Sequence, residues 1–576
     1  MYVNRINDDL EDYHYRHYQR GITLPEVTLS AFTETSQMKL SIKVPKQRSY
    51  TGRSPVIPSS LADTPCAKLG VQGVLDELNA TLGTSHTLHT APSSSTSTAS
   101  PALCSAASVQ EQDQLSLFSI LEDFIERNYD FGTAYALLRP VWNVEKPSNI
   151  QDILRRREGQ DRERRQNALA GNRIVDPDLT PRRVWDLCSN RVVPSWVTDE
   201  RPTPISHAWV DEKDREDVLT PINGKEWPVP IPKDADLNLI RIEMLNLGAE
   251  YAWLDVLCLR QTGGAREDLR VEEWSLDVPI IGGVYSSHRM VVIYLSGLGR
   301  PLMLKDGDLD SVRSWFRRAW TLQEVGYERI IAGDTPDGPM HAQPIDGRNY
   351  ETALLTRFYE ELDLVERGTA HTFATLADMQ KRVSTNPVDR VAGLAFPLRP
   401  FVIPAYQWTA LVNTMDAEMR AGFLFLYPGV GLRYKKWRPT WDQVMKQPLP
   451  KDVGYFATSV QRDNEEDEDW FDGYCIEKGH VRVFDAGSAE GCDRCGELVV
   501  KVADGIAHTF KIRIAHRFLI PEDTYTLLGD TPYHWAIGKR LPDQRFEKVS
   551  VIGLYYEEWQ KLRALSLIAS SHNVLV

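Results

Sequence analysis

Ser206, His207 and Trp209 stand at the end of the apolar run ISHAWV (205 to 210), and their types suit proton transfer, hydrogen bonding and aromatic contact. Neighbouring residues of a strand point to opposite faces, so Ser206 and His207 cannot act as a hydrolase dyad while both lie within one. No Gly-x-Ser-x-Gly elbow occurs in the chain. His207 therefore has two readings, a site residue or a structural histidine bonded to backbone. Asp255 sits inside a second apolar run, YAWLDVLCL (251 to 259), where a carboxylate must find partners or shift its pKa. Cys258 in the same run reads as a small core residue rather than a nucleophile.

Other candidate chemistry lies further on. Cys475, His480, Cys492 and Cys495 offer the four ligands of a structural zinc site, the alternative being a hairpin turn carrying two reduced thiols. The run DNEEDEDWFD (463 to 472) lacks the spacing of a calcium loop and reads as a solvated, mobile connector. Neither a Walker phosphate loop nor a GxGxxG fingerprint is present, and no metal is assigned to the Ser206 region.

These residues need elements to hold them. At 576 residues the chain is long enough for several domains, and its 42% hydrophobic and 25% charged residues exclude wholesale disorder. Residues 1–112 read as a largely disordered arm, because their Ser, Thr and Pro-rich stretch cannot bury enough apolar area. Residues 113–180 read as a helical connecting region, with a docking helix that turns Leu115, Phe118, Leu121 and Ile125 inward and a solvated basic helix around Arg155 to Arg165. In 181–336 strand-like and helical runs alternate, the mark of an α/β sheet. Its expected elements are strands at 205–210, 251–259 and 290–295, a helix from Leu237 to Leu247 capped by Asp234 or Asp236 and stopped by Gly248, a disturbed helix over 272–285, and a helix from Trp315 to Val325. A helical extension and connector (337–450) and a separate β-rich module (451–576) follow.

A net charge of -14 and a pI near 5.5 make nucleic acid an unexpected partner. The apolar runs are too short to span a membrane, the first residues lack a signal peptide's apolar core, and the seven scattered cysteines suit a reducing compartment, so a cytoplasmic protein with no membrane span is expected.

Several blocks, in order, resemble the fungal heterokaryon-incompatibility (HET) domain. RVWDLCSNRVVPSW (183 to 196) leads into PISHAWV, similar to the family's Ser-His-x-Trp opening with Val210 where Gly is common. YAWLDVLCLRQ, EEWSLDVPIIGGVYSS, RRAWTLQE and STNPVDRVAGLAF follow, with Glu273 and Asp277 in place of an Asp and a Glu. The blocks cover about Arg183 to Leu394. The resemblance implies a role in non-self recognition and programmed cell death, and a fold similar to the Toll/interleukin-1 receptor (TIR) domain, a flavodoxin-like parallel sheet flanked by helices.

Trp320-Thr-Leu-Gln-Glu324 has the spacing of the Trp-Cys-x-x-Glu of TIR enzymes that cleave NAD, which implies Glu324 as the catalytic residue and NAD as substrate, with no further cofactor required. Ser206, His207, Trp209, Asp255, Arg318 and Trp320 are the residues expected around the ligand, with Trp209 stacking on a ring and Arg317 or Arg318 holding the pyrophosphate. Two alternatives stay open. Glu324 pairs with Arg318 or Arg329 in mid-helix while Trp320 is core, or the domain is a non-enzymatic module that works by self-association with an unknown protein partner.

Overall fold

A computed structural model describes residues 32–37, 52, 55–88, 117–143, 146–366, 372–398, 407–450, 458–484 and 494–576, apart from 172, 177, 287–289, 327, 336, 433–434, 503–504 and 530. After a single helical turn (Ser59–Ala62), the longer helices α1 (Cys66–Leu82), α2 (117–126), α3 (Phe131–Trp142) and α4 (Pro147–Ala168) precede the central sheet. α1 lies within the arm expected to be disordered, and it folds because Val74, Leu75 and Leu78 bury against Phe131, Tyr135 and Leu138 of α3. The rest of that arm lies outside the described residues, apart from 32–37, 52, 55–65 and 83–88. The docking helix exists, but its buried face is Leu117, Ile120, Leu121 and Phe124; Ile125 is half-buried against the same core, Phe118 is exposed, and Leu115 lies outside the described residues. α4 is the solvated basic helix.

The central sheet has six strands, assembled from β1 (Arg183–Asp186), β2 (Arg191–Pro194), β3 (Thr203–His207), β6 (Tyr251–Leu254), β7 (Met290–Tyr294) and β8 (Glu328–Ile331). A two-stranded ribbon, β4 (Arg215–Val218) and β5 (Val229–Pro232), lies outside it. The spatial order is β8-β7-β3-β6-β1-β2. The first four strands are parallel to their neighbours, but β1 runs antiparallel to both β6 and β2, so the sheet is mixed rather than wholly parallel. The antiparallel edge arises because the RVWD and RVVP runs close on a short hairpin, with Asn190 at φ 56 in its turn.

Within the parallel part the chain enters at β3, crosses to β6 on one side, then returns to β7 and β8 on the other. The crossover from β3 includes α5 (Leu237–Asn246), capped by Asp236, whose side chain accepts from Asn238 N, and followed by Gly248 at φ 93. α6 (Arg270–Asp277) and α7 (Ile281–Ser286) split the disturbed helix as Pro279 suggested.

Three expected elements are shorter or different. β3 ends at His207, and β6 at Leu254, where Asp255 Oδ1 accepts from Val256 N and starts one helical turn. Trp315 to Val325 is not a helix but two 3-10 turns, Trp315–Arg317 and Trp320–Leu322, with Arg318 extended between them. Its backbone is drawn off sideways, since Val383 N donates to Arg317 O at 2.6 Å and Ala319 N to Val383 O at 3.0 Å.

Beyond the sheet, α8 (Thr372–Lys381) and α9 (Ala417–Phe425) belong to a helical layer. The tail forms a second sheet from β9 (Gln461–Asp463), β10 (Glu468–Phe484), β11 (Arg494–Lys501), β12 (Ala507–Ile514), β13 (Asp523–Gly529), β14 (Trp535–Arg540), β15 (Phe546–Leu554) and β16 (Ala569–Leu575). Pairing runs β10-β11-β12-β15-β14-β13 and back to β10, a closed antiparallel circuit around Leu498, Phe510, Leu527, Trp535 and Ile552. The acidic run 463–472 is no connector: it is the β9–β10 hairpin, with Phe471 buried and Asp469 held by Arg462 and Lys435. The β-rich sheet is separate, yet it shares a core with the helical layer, where Phe423 and Leu424 of α9 cluster with Phe471, Leu528 and Leu575. Buried Lys548 fastens the two, its Nζ donating to Phe423 O and Tyr427 O at 2.6 Å each.

Leu75→Ala tests whether α1 is structural. It is expected to lower the unfolding free energy by about 2–5 kcal/mol in urea titration, whereas a disordered segment would leave it unchanged.

Candidate functional site

β3 passes through the middle of the central sheet with Ser206 fully buried. Trp315 Nε1 donates to Ser206 Oγ at 2.7 Å, and an indole can only donate. The hydroxyl therefore accepts there, and its own proton points to Glu324 Oε2 at 2.5 Å. Glu324 is 9% exposed, and burial raises its pKa above the ordinary value, opposed by the Arg318 charge and the Ser206 hydrogen bond. It lies after the second 3-10 turn rather than in mid-helix, and its partner is a serine.

His207 follows Ser206 and serves another group. Its Nε2 lies 2.9 Å from Asp255 Oδ1 and its Nδ1 3.2 Å from Ala208 O. Both neighbours are acceptors, which suits an imidazolium donating from both nitrogens. Burial alone would lower the His207 pKa, but the Asp255 charge and hydrogen bond outweigh it and the result is raised. Burial pushes Asp255 up, and His207 with Arg318 outweighs that, leaving it lowered. The two lie at salt-bridge distance, and the Nδ1 contact with Ala208 O is the backbone bond of the structural reading of His207.

Arg318 Nη1 donates to His207 O at 3.2 Å, and its guanidinium lies 5.7 Å from the Trp209 ring centroid. The His207 and Trp209 rings are 5.6 Å apart, and Arg215 approaches Trp209 at 5.5 Å. Trp209 is thus already engaged, not a bare platform for a base. Burial lowers the Arg318 pKa, and the Glu324 and Asp255 charges do not fully restore it.

Ser206, His207, Trp209, Asp255, Arg318 and Glu324 are brought into one connected cluster. Trp320 is not joined to it by hydrogen bonds, since its indole bonds Asp389 and its ring packs at the margin of the main core. Arg317 is spent elsewhere, donating to Leu309 O and facing Asp310 and Glu361. Cys258 is core, its thiol pushed up to about 12 by burial.

The zinc set does not assemble. Cys495 pairs across from Phe484, nine residues beyond Cys475 along β10, which is roughly 25 Å or more of strand. Cys475 instead donates to Glu477 and His480 meets Glu522, while Cys492 lies outside the described residues. No group of three or more metal-ligating side chains occurs among the described residues.

Two contributors escaped the sequence reading. Trp315 fixes the direction of the serine proton, and Arg382 donates to Thr321 Oγ1 at 2.6 Å and Arg318 O at 2.8 Å, with burial lowering its pKa to about 10. An indole N–H due for burial needs an acceptor, which was the available signal for Trp315. Arg382 carried none, because only folding places it under the 315–321 turns.

A cleft of about 380 Å³ opens beyond the carboxyl ends of β3 and β7, between Ala208–Trp209 and Leu295–Ser296. Strand order reverses there, the place where open sheets bind ligands. Ser314 and Phe316 line it while Trp315 reaches Ser206, so this turn stands between the cleft and Glu324. Comparison with protein-family models, curated proteins and solved structures gives no match for the chain.

Asp255→Asn removes the His207 ion pair, and its pH dependence follows from the two shifts. A raised histidine contributes fully below its unfolded pKa of about 6.5 and loses the contribution as pH rises through the folded value; a lowered aspartate contributes above about 3.9 and loses it as pH falls. The Tm deficit of the variant should be largest between about pH 4 and 6.5 and shrink on either side.

Proposed function

We propose that the central α/β unit is an effector domain of the heterokaryon-incompatibility type, that its sheet is of the flavodoxin-like class to which TIR domains belong, and that it cleaves the N-glycosidic bond of NAD through Glu324. The 2-1-3-4 order of the parallel strands supports the class. The buried Ser206 to Glu324 hydrogen bond, with Arg318 beside it, carries the catalytic reading.

In this reading the bond between C1′ of the ribose and the nicotinamide nitrogen breaks with its electron pair going to nitrogen. Nicotinamide then departs neutral, so no general acid is required. Positive charge grows on the ribose, and the Glu324 carboxylate stabilises it more strongly in a desolvated site than in water. Water adds to C1′ and loses its proton to solvent. Ser206 holds Oε2 in place and leaves Oε1 for the ribose. No cofactor takes part. The turn over Glu324 must move for the substrate to enter, and assembly of several copies is the event proposed to move it.

A second reading rests on a different observation. Glu273 is gripped by Arg183 at 2.7 Å and Arg260 at 3.1 Å, and Asp277 by Arg182 at 2.8 Å, so several motif residues act as internal clamps. A module whose motif residues are spent in this way on holding its shape would serve non-enzymatic homotypic signalling.

NAD consumption by the full chain, with a crowding agent to promote assembly, separates the two. Glu324→Gln should lower turnover by at least about 100-fold without loss of folding. Because a raised carboxylate pKa must be passed before Glu324 is charged, wild-type turnover should rise with pH on the acid side, and Ser206→Ala should move that limb to higher pH. No turnover by folded, assembled wild type would select the signalling module.

A further inference from the structure

Two guanidinium groups converge on one indole next to the buried carboxylate. Arg215, at the start of β4, and Arg318, between the two 3-10 turns, lie 5.5 and 5.7 Å from the Trp209 ring centroid. Other arginines of this domain have carboxylate partners: Arg183 with Glu273, Arg300 with Asp234, Arg317 with Asp310. Among the described residues neither Arg215 nor Arg318 forms such a pair. Asp211 is taken by Arg313 at 3.4 Å, and Asp214, adjacent to Arg215 in the chain, does not bridge to it.

Arg318 has five N–H donors, and its described hydrogen bond, to His207 O, uses one. None of its nitrogens is among the side-chain atoms sealed from solvent without a partner, so the unused donors reach accessible space. The nearby acids do not bridge to it: Asp255 pairs with His207, and Glu324 takes the Ser206 hydroxyl. Two guanidinium groups without a carboxylate bridge are thus left against Trp209, which itself lines the switch-point crevice.

We propose that Arg215 and Arg318, converging on Trp209, form a binding site for a phosphate-type oxyanion, with a diphosphate as the group that spans both. Guanidinium forks match phosphate oxygens in pairs, and contact with Trp209 restrains both side chains before a ligand binds. The site deepens the NAD reading by giving the pyrophosphate a place, and it rests on that reading only for the identity of the natural ligand.

Isothermal titration of the full chain with inorganic pyrophosphate, against sulfate at equal ionic strength, reads the site directly. Saturable binding is expected, weakened about ten-fold or more in Arg215→Met and in Arg318→Met, and weakened by added salt. Arg215 lies on the outer ribbon, so its variant carries the test should Arg318→Met fail to fold. Absence of saturable binding, or binding unchanged in Arg215→Met, overturns the proposal. The two readings fail separately: pyrophosphate binding by a chain that consumes no NAD retains the anion site and removes the NAD reading. NAD turnover whose KM is unchanged in Arg215→Met retains the enzyme and removes the anion site.

Discussion

The hydrogen bond from Ser206 to Glu324 joins positions 118 residues apart in the chain, and both ends are buried. A carboxylate in such a place costs several kcal/mol unless donors and cations are supplied around it. Much of the central unit supplies them. β3 must run through the middle of the sheet to deliver the hydroxyl, and Trp315 must take the hydroxyl's acceptor side so that its proton faces the acid. The 314–324 segment must lie flat across the strand ends, which a regular helix would prevent. Pairing with Val383 and the donors of Arg382 hold it in that irregular path.

A second set of buried charges ties the sequence blocks to one another. Arg183 leaves β1 to grip Glu273 of α6, and Arg260, just past β6, grips the same carboxylate. Arg182 reaches Asp277 one helical turn further on. Three blocks distant in sequence are thus mutually dependent. Removing one member would strand the others as uncompensated buried charges, a larger loss than the pair itself gains over an apolar replacement.

Much of this was legible in the chain. Apolar runs located β3, β6 and β7, Asp236 and Gly248 bounded α5, and alternation in the tail found β12 and β15. What could not be read depended on partners remote in sequence. A period of 3.6 residues over Trp315 to Val325 promised a helix, but the backbone groups there are claimed by Val383. Ser, Thr and Pro content suggested a disordered arm, yet α1 carries its own apolar stripe and finds α3 to cover it. Phe118 and Leu117 sit one residue apart in a frayed amphipathic pattern, and only the position of α1 decides which is inside. The cysteine and histidine quartet looked compact by spacing, whereas an extended strand pulls Cys475 and Cys495 apart. Six of the seven residues expected at the site do meet, because residues at the carboxyl ends of adjacent parallel strands have little choice but to converge.

The core that joins the helical layer to the closed β circuit has a kinetic meaning. Ala319 and Leu575 belong to the same buried cluster, as do Phe373, Phe423 and Phe546. Contacts of such long sequence separation are slow to form, because loop-closure entropy is spent before they return any stabilisation. During synthesis the helices around α8 and α9 emerge with an apolar face whose cover is a strand made more than a hundred residues later. Until β16 pairs with β10 that face lacks part of its cover, which leaves an intermediate with exposed apolar surface.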